Sequence, residues 1–287
     1  MVFSAGEMLK QVRRDKPLIH HITNNVTMGD CADATLNIGA LPVMAHALRE
    51  VEEMVAAARA AVLNIGTLHP EQLEAMTAMG RKARELGIPV VLDPVGAGAT
   101  SYRTAAAWQI LREAKPAVIK GNAGEIGTLA GIEAARVSGV QSLDGGEDPR
   151  RAAQKLLDRL DYEAVVAITG AVDLVTDGSR TIRVQNGHPL LPRIVGSGCM
   201  AASLVASFAA VEKDLLQAAG AALAALGAAA ERAVYSPVPG ENVPPQKQVS
   251  PQDRGELGPA SFKVHLLDAL SFLTPDELDR LVKIEVQ

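Results

Sequence analysis

Several apolar runs in this sequence end on residues suited to binding phosphate or a divalent cation. Residues 88–92 run into Asp93-Pro94-Val95-Gly96-Ala97-Gly98, and 117–119 run into Lys120-Gly121-Asn122 with Glu125 close behind. Thr23-Asn24-Asn25 and Thr169-Gly170 sit at the ends of two further runs. In an open parallel sheet, ligands bind beyond the carboxyl ends of the strands, so these groups would converge at one edge. Gly196-Ser197-Gly198-Cys199 opens a long apolar helical pattern, where free backbone N–H groups and the helix dipole suit a transferring phosphoryl group. The same tetrapeptide also reads as a turn that lets a helix pack closely. Asp93 is placed to hold Mg2+ through waters beside nucleotide phosphates, and Glu125 offers a second carboxylate. Taken singly, Asp93 is equally a turn residue before Pro94, and Glu125 a first-turn residue favoured by the dipole. Together with the glycine turn they favour the metal reading. Cys199, at a helix start, is expected to have a lowered thiol pKa and to serve as acceptor for a hydroxyl proton; otherwise it is an inert core cysteine.

Other routes to such chemistry are missing. No Gly-Lys-Ser/Thr ending of a Walker A loop occurs, and no Gly-x-Ser-x-Gly. Gly196, Gly198 and Ala201 match a dinucleotide fingerprint only loosely, late in the chain and without the acidic strand end that should follow. The two cysteines, Cys31 and Cys199, have no disulfide or metal spacing, which fits a reducing compartment. The histidines, among them His20, His21 and His69, show no ligand spacing and read as packing or surface residues. A net charge of -5 with no basic run offers nucleic acid or an anionic membrane nothing to hold, and 3% aromatic content gives few stacking platforms. Residues 198–211 and 215–230 are apolar but divided by Glu212, Lys213 and Asp214, so they are expected as buried helices rather than a membrane span. The N-terminal residues lack the apolar stretch of a secretory signal and read as a short amphipathic helix; a cytoplasmic protein is expected.

The elements that must position these groups alternate along the chain, the pattern of a mostly parallel sheet covered on both faces. Strands are expected at 18–23, 41–47, 61–66, 88–93, 117–120, 164–169, 173–176 and 181–184. Helices are expected at 28–38, 70–86, 104–113, 124–130, 149–160, 199–211, 215–234, 261–272 and 275–283. Asp177-Gly178 between two strands predicts an antiparallel hairpin near the sheet edge. No internal repeat is visible. The Pro- and Gln-rich stretch 236–258 reads as an insertion, a loop or flap within one α/β domain spanning 1–287.

HHITNNVTMGDCADATLNIGALPVMAHA, LDPVGAGAT, IKGNAGEIGTLAG, ITGAVDLVTDG, NGHPLLPRIVGSGCMAASLVASF and GPASFKVHLLDAL together resemble the hydroxyethylthiazole kinase family, of the ribokinase-like superfamily. The resemblance implies a three-layer fold and ATP-dependent phosphorylation of 4-methyl-5-(2-hydroxyethyl)thiazole on its side-chain hydroxyl, with Mg2+. It implies that Met44 and Gly196 contact the thiazole, that Asn25 lies in the thiazole-side segment, and that Lys120, Thr169 and Asn122 serve the nucleotide. Asn122 and Glu125 match the superfamily's Asn-x-x-Glu motif for Mg2+, and Asp93 its acidic partner. Cys199 stands where broader relatives carry a catalytic Asp, with Gly196 and Gly198 in the amide cradle beside it. Lys120 stands where the family often has Arg. A homotrimer with active sites between subunits is also implied, residues 24–44 serving a neighbouring site. Two alternatives remain: a kinase of another small alcohol, such as hydroxymethylpyrimidine or a sugar, and a catalytically silent ligand sensor.

Overall fold

Strands β3 (Ala60–Asn64) and β4 (Val90–Asp93) are buried at every residue, which a sheet achieves only when helices cover both of its faces. The computed structural model describes residues 3–132, 148–234 and 257–287. Around these two strands lie β1 (Leu18–Ile22), β2 (Leu41–Val43), β5 (Val118–Asn122), β6 (Val165–Thr169), β7 (Asp173–Thr176), β8 (Thr181–Val184) and β9 (Ile284–Val286). They form one sheet in the order β2-β1-β3-β4-β5-β6-β7-β8-β9. From β2 to β6 neighbours are parallel; β7, β8 and β9 are added antiparallel.

Side chains alternate across the sheet. Ala60 and Val62 join a core beneath α1 (Ala5–Asp15), α2 (Met28–Ile38), α8 (Ser197–Ala209), α9 (Leu215–Ala233), α10 (Pro259–Phe272) and α11 (Pro275–Leu281). Ala61 and Leu63 point the other way, to α3 (Val51–Ala57), α4 (Pro70–Glu85), α5 (Ser101–Glu113), α6 (Ala123–Leu129) and α7 (Pro149–Leu157). The apolar stretches that form α8 and α9 are buried along most of their length, and no helix among the described residues is long and apolar enough to cross a membrane.

Local signals set most of the boundaries. Ser4 caps α1, giving the expected amphipathic opening helix, and Pro70 and Pro275 begin α4 and α11 without wasting an N–H. The predicted hairpin forms: Asp177 accepts from the Ser179 and Arg180 amides, and Gly178 takes a φ of 92°. Several bounds differ from expectation: β2 stops at Val43 instead of 47, β3 at Asn64 instead of 66 and α7 at Leu157 instead of 160, while α5 already starts at Ser101. α3 was not anticipated, being only 7 residues long. The last helix stops at Leu281 instead of 283, and Ile284-Glu285-Val286 crosses to pair with β8. Of the expected insertion, 236–256 lies outside the described residues, while Gly258 caps α10 just before Pro259.

Candidate active site

The parallel register aligns the strand ends. Asn64 stands opposite Asp93, and Asn122 opposite Thr169. The chain leaves β1 for the edge strand β2 and returns on the other side of β1 to make β3, so β1 and β3 flank the point where strand order reverses, the usual binding crevice of such sheets. The N-terminus of α8 closes on these strand ends.

At the centre Asp93 and Lys120 form an ion pair, Nζ to Oδ2 at 3.2 Å, with side chains only 1% and 4% exposed. Burial pushes the Asp93 carboxyl above the usual carboxylate range, against the pull of Lys120. For Lys120 burial acts downward, but Asp93, Glu125 and Cys199 outweigh it and hold the ammonium above its ordinary value. Asp93 Oδ2 also accepts from Asn64 Nδ2 at 3.0 Å, whereas its Oδ1 is buried with no partner. A Cβ placed on Gly198 would have only Lys120 Nζ within 4 Å, at 3.3 Å, so the first turn of α8 leaves open space beside the ammonium.

Cys199 lies in the same turn. Its sulfur accepts from Asn64 Nδ2 at 3.2 Å and from Asn24 Nδ2 at 3.4 Å. The expected lowering of its thiol pKa is not found: burial, then the Asp93 charge, raise it, although Lys120 and the hydrogen bonds pull the other way. A helix N-terminus lowers a thiol only where desolvation does not prevail. Gly196 caps the helix at a φ of 96°, and a Cβ there would meet Asp30 Oδ2 at 3.0 Å and Thr27 Cγ2 at 3.1 Å. Glycine is required at this position by both strain and space.

Glu125 and Asn122 prove to be a reciprocal helix cap. Asn122 Oδ1 accepts from the Glu125 amide at 2.9 Å, and Glu125 Oε2 accepts from the Asn122 amide at 2.8 Å. Glu125 Oε1 accepts from the Gly96 amide at 2.9 Å, tying the loop after β4 to α6. Thr169 ends β6 half-buried, its hydroxyl 3.4 Å from the Gly121 carbonyl. Met44 follows β2 half-buried, next to Ala45, whose carbonyl accepts from His20 Nε2. Asn25 is exposed and is joined through its amide to Thr67; its side chain is not part of the polar cluster, and its neighbour Asn24 is. The histidines keep packing and capping roles: His21 donates from Nδ1 to Ile19, accepts from Ser203 at Nε2, and His69 caps α4.

Asn64 and Arg103 escape the sequence reading as parts of a site, and Asn24, collected there within Thr23-Asn24-Asn25, has no role of its own in it. Asn24 and Asn64 are the buried amides just described. Arg103 donates to the carbonyls of Ile65, Gly66 and Val95, pinning the loops after β3 and β4 together. Asn64 carried a usable signal, since like Asp93 it is the polar end of an otherwise apolar strand.

The architecture is shared with known enzymes. A pyridoxal kinase from Staphylococcus aureus in complex with pyridoxal matches at a TM-score of 0.53 and 17% identity over 75% of this chain and 87% of that one. The fold is therefore that of the ribokinase-like small-molecule kinases, a mixed α/β layer structure. Within that class the chain belongs to the hydroxyethylthiazole kinase family, whose model matches residues 9–276. A hydroxyethylthiazole kinase from Roseiflexus sp. (strain RS-1) is 50% identical over 273 residues, 95% of this chain and 93% of its own length. The solved hydroxyethylthiazole kinase protein from Pyrococcus horikoshii OT3 superposes at a TM-score of 0.82 with 40% identity, over 99% of this chain and 98% of that one.

Proposed function

We propose that this protein transfers the γ-phosphoryl group of ATP to the hydroxyl of 4-methyl-5-(2-hydroxyethyl)thiazole, a salvage step toward thiamine. The observation that carries the reading is the buried Asp93–Lys120 pair opening onto the glycine turn of α8, with Cys199 beside it. Phosphoryl transfer asks a protein mainly to align two oxygens and to stabilise spread negative charge. The amides of the first turn of α8 and the Lys120 ammonium supply that stabilisation in a place with little water. Cys199, held as a thiol, relays the proton of the alcohol: its sulfur takes that proton late in the transfer, when the oxygen is most acidic, as its own S–H proton passes to an oxygen of the transferred phosphoryl group.

The residues present also fit magnesium. Asp93 keeps a buried oxygen without a partner, and the Glu125 carboxylate, with both oxygens on backbone amides, retains lone pairs for bound waters. Magnesium bound there with ATP would draw charge from the phosphate oxygens. Thr169 and Asn122 line the nucleotide side, and Met44, Asn25 and Gly196 the thiazole side. The family's trimer suits this surface. Val26, Leu36 and Leu41, in the segment proposed to serve a neighbouring site, are 68%, 57% and 42% exposed.

The test is mass detection of the phosphate ester formed from hydroxyethylthiazole with ATP and Mg2+, repeated with excess chelator, alongside light scattering of the purified protein. A thiazole phosphate lost on chelation and a mass of three chains support the proposal. Tight thiazole binding without product would instead make the protein a sensor. A monomer with full activity would remove the shared site.

A further inference from the structure

Asn64 touches both of the groups assigned opposite tasks in this site. Its side chain is completely buried. One end of the amide only accepts: Oδ1 takes the Gly66 amide at 3.0 Å and Asn24 Nδ2 at 3.0 Å. Asn24 is itself fixed, because its Oδ1 accepts from the Val26 and Thr27 amides and from the Thr27 hydroxyl. With those donors in place neither amide can turn over, since an NH2 group cannot accept them. The Asn64 NH2 is thereby directed to Asp93 Oδ2 at 3.0 Å and Cys199 Sγ at 3.2 Å. The sulfur faces two amide donors, and the Thr27 hydroxyl, which itself donates to Asn24 Oδ1, is a further partner able to accept the thiol's own hydrogen.

We infer that Asn64 is a positioning residue for phosphoryl transfer, its locked amide holding the carboxylate on the phosphate side and the sulfur on the alcohol side at a fixed separation. The inference rests on the phosphoryl-transfer reading for its consequence, but its geometric content is independent of substrate. The bond to Asp93 uses Oδ2 and leaves the buried Oδ1 without a protein partner. The bond to Cys199, backed by Asn24, makes position 199 a place built for an acceptor, so that a sulfur or a carboxylate oxygen is held in the same spot. A donor group there would face two N–H bonds with nothing to accept them.

Asn64→Asp keeps the shape and the Oδ1 acceptor and removes the bond donated to Cys199, while toward Asp93 the two buried carboxyls would share a proton in place of the amide bond. The test measures this variant in the native and Cys199→Ala backgrounds. It also follows iodoacetamide alkylation of Cys199 by peptide mass spectrometry at pH 8 without substrate, with the buried Cys31 as internal reference. Asn64→Asp is expected to lower kcat by about 30-fold with KM for hydroxyethylthiazole within about threefold, a loss of roughly 2 kcal/mol in transition-state stabilisation. In the Cys199→Ala background the loss should shrink to about fivefold, and in the native background Asn64→Asp should slow alkylation of Cys199 by about tenfold. Equal losses in the two backgrounds, or unchanged alkylation in a folded variant, would overturn the assignment. Should Asn64→Asp fail to fold, as judged by thermal unfolding, Asn64→Ala carries the same cycle. A native protein that phosphorylates no thiazole would sink the proposed function alone, and the alkylation comparison would still decide whether Asn64 holds the sulfur.

Discussion

Gly198→Ala should raise stability and cripple turnover together. Gly198 lies in the first turn of α8 with no positive φ, so an alanine suits the backbone. Its Cβ would meet only the end of the Lys120 side chain, at 3.3 Å, a flexible group able to give by a few tenths of an ångström. Relieving a helical glycine stabilises by about 0.5 kcal/mol near a helix start, raising Tm by about 1 °C in a chain of this size. The same methyl stands in the space beside the ammonium where the transferring group must sit. Displacing that group from the α8 amides should cost what loss of an oxyanion donor costs, on the order of 100- to 1000-fold in kcat, or ~3 to 4 kcal/mol. Steady-state kinetics with calorimetric unfolding on the same preparation reads both. Activity within about threefold of the native enzyme would refute the placement of the phosphoryl group, and a Tm lower by more than about 5 °C would refute the claim that the space is open. Gly198→Val, with two further methyls in that space, should abolish turnover.

Cys199→Asp should keep or raise turnover, because the Asn24 and Asn64 amides already point donors at that position and a carboxylate accepts a proton more readily than a neutral thiol; inactivity in a folded variant would contradict the acceptor role. His21 should make the fold acid-sensitive. Burial lowers its pKa to about 4, so between there and the unfolded value near 6.5 the native state binds fewer protons than the unfolded chain. Its contribution is complete above about pH 7 and falls as the pH drops through 6.5 toward 4, by roughly 3 kcal/mol. Urea unfolding at pH 7.5 and 5 should show the loss, and a His21→Gln variant should show a flatter dependence. Arg103→Ala strips three loop carbonyls of a charged donor and should cost about 2 to 3 kcal/mol, together with a fall in kcat, in urea unfolding and kinetics.

Much of this site was legible in the residues because parallel strands end in register. Asp93, Lys120, Asn122 and Thr169 each follow an apolar run, and the sheet brings those ends side by side. The first-turn reading of Glu125 was also available from sequence, and the structure adds what it did not say, a carboxylate anchored on backbone amides in a capping box with Asn122. What spacing could not convey was burial. Cys199 looked like an activated thiol at a helix start, and only its burial, with the Asp93 charge close by, shows that its proton is held more tightly. Asn64 was hidden by a boundary: the strand was expected to run through 66, which made it an interior strand residue instead of the end that faces the site. Asn24 and the exposed Asn25 are adjacent and identical in type, and only the turn geometry decides which one enters the cluster. At the far edge, Ile284-Glu285-Val286 lies beyond the helix expected to end at 283 and is too short to read as a strand from its own residues; only pairing with β8 makes it one.

The most direct test of the whole account is a comparison of kcat/KM for hydroxyethylthiazole, hydroxymethylpyrimidine and ribose under saturating ATP and Mg2+, with the phosphorylated products identified by mass. The account predicts that the thiazole is favoured by at least about 100-fold, the discrimination a shaped pocket with a few placed polar groups achieves. Equal or greater efficiency with either of the other alcohols would contradict it.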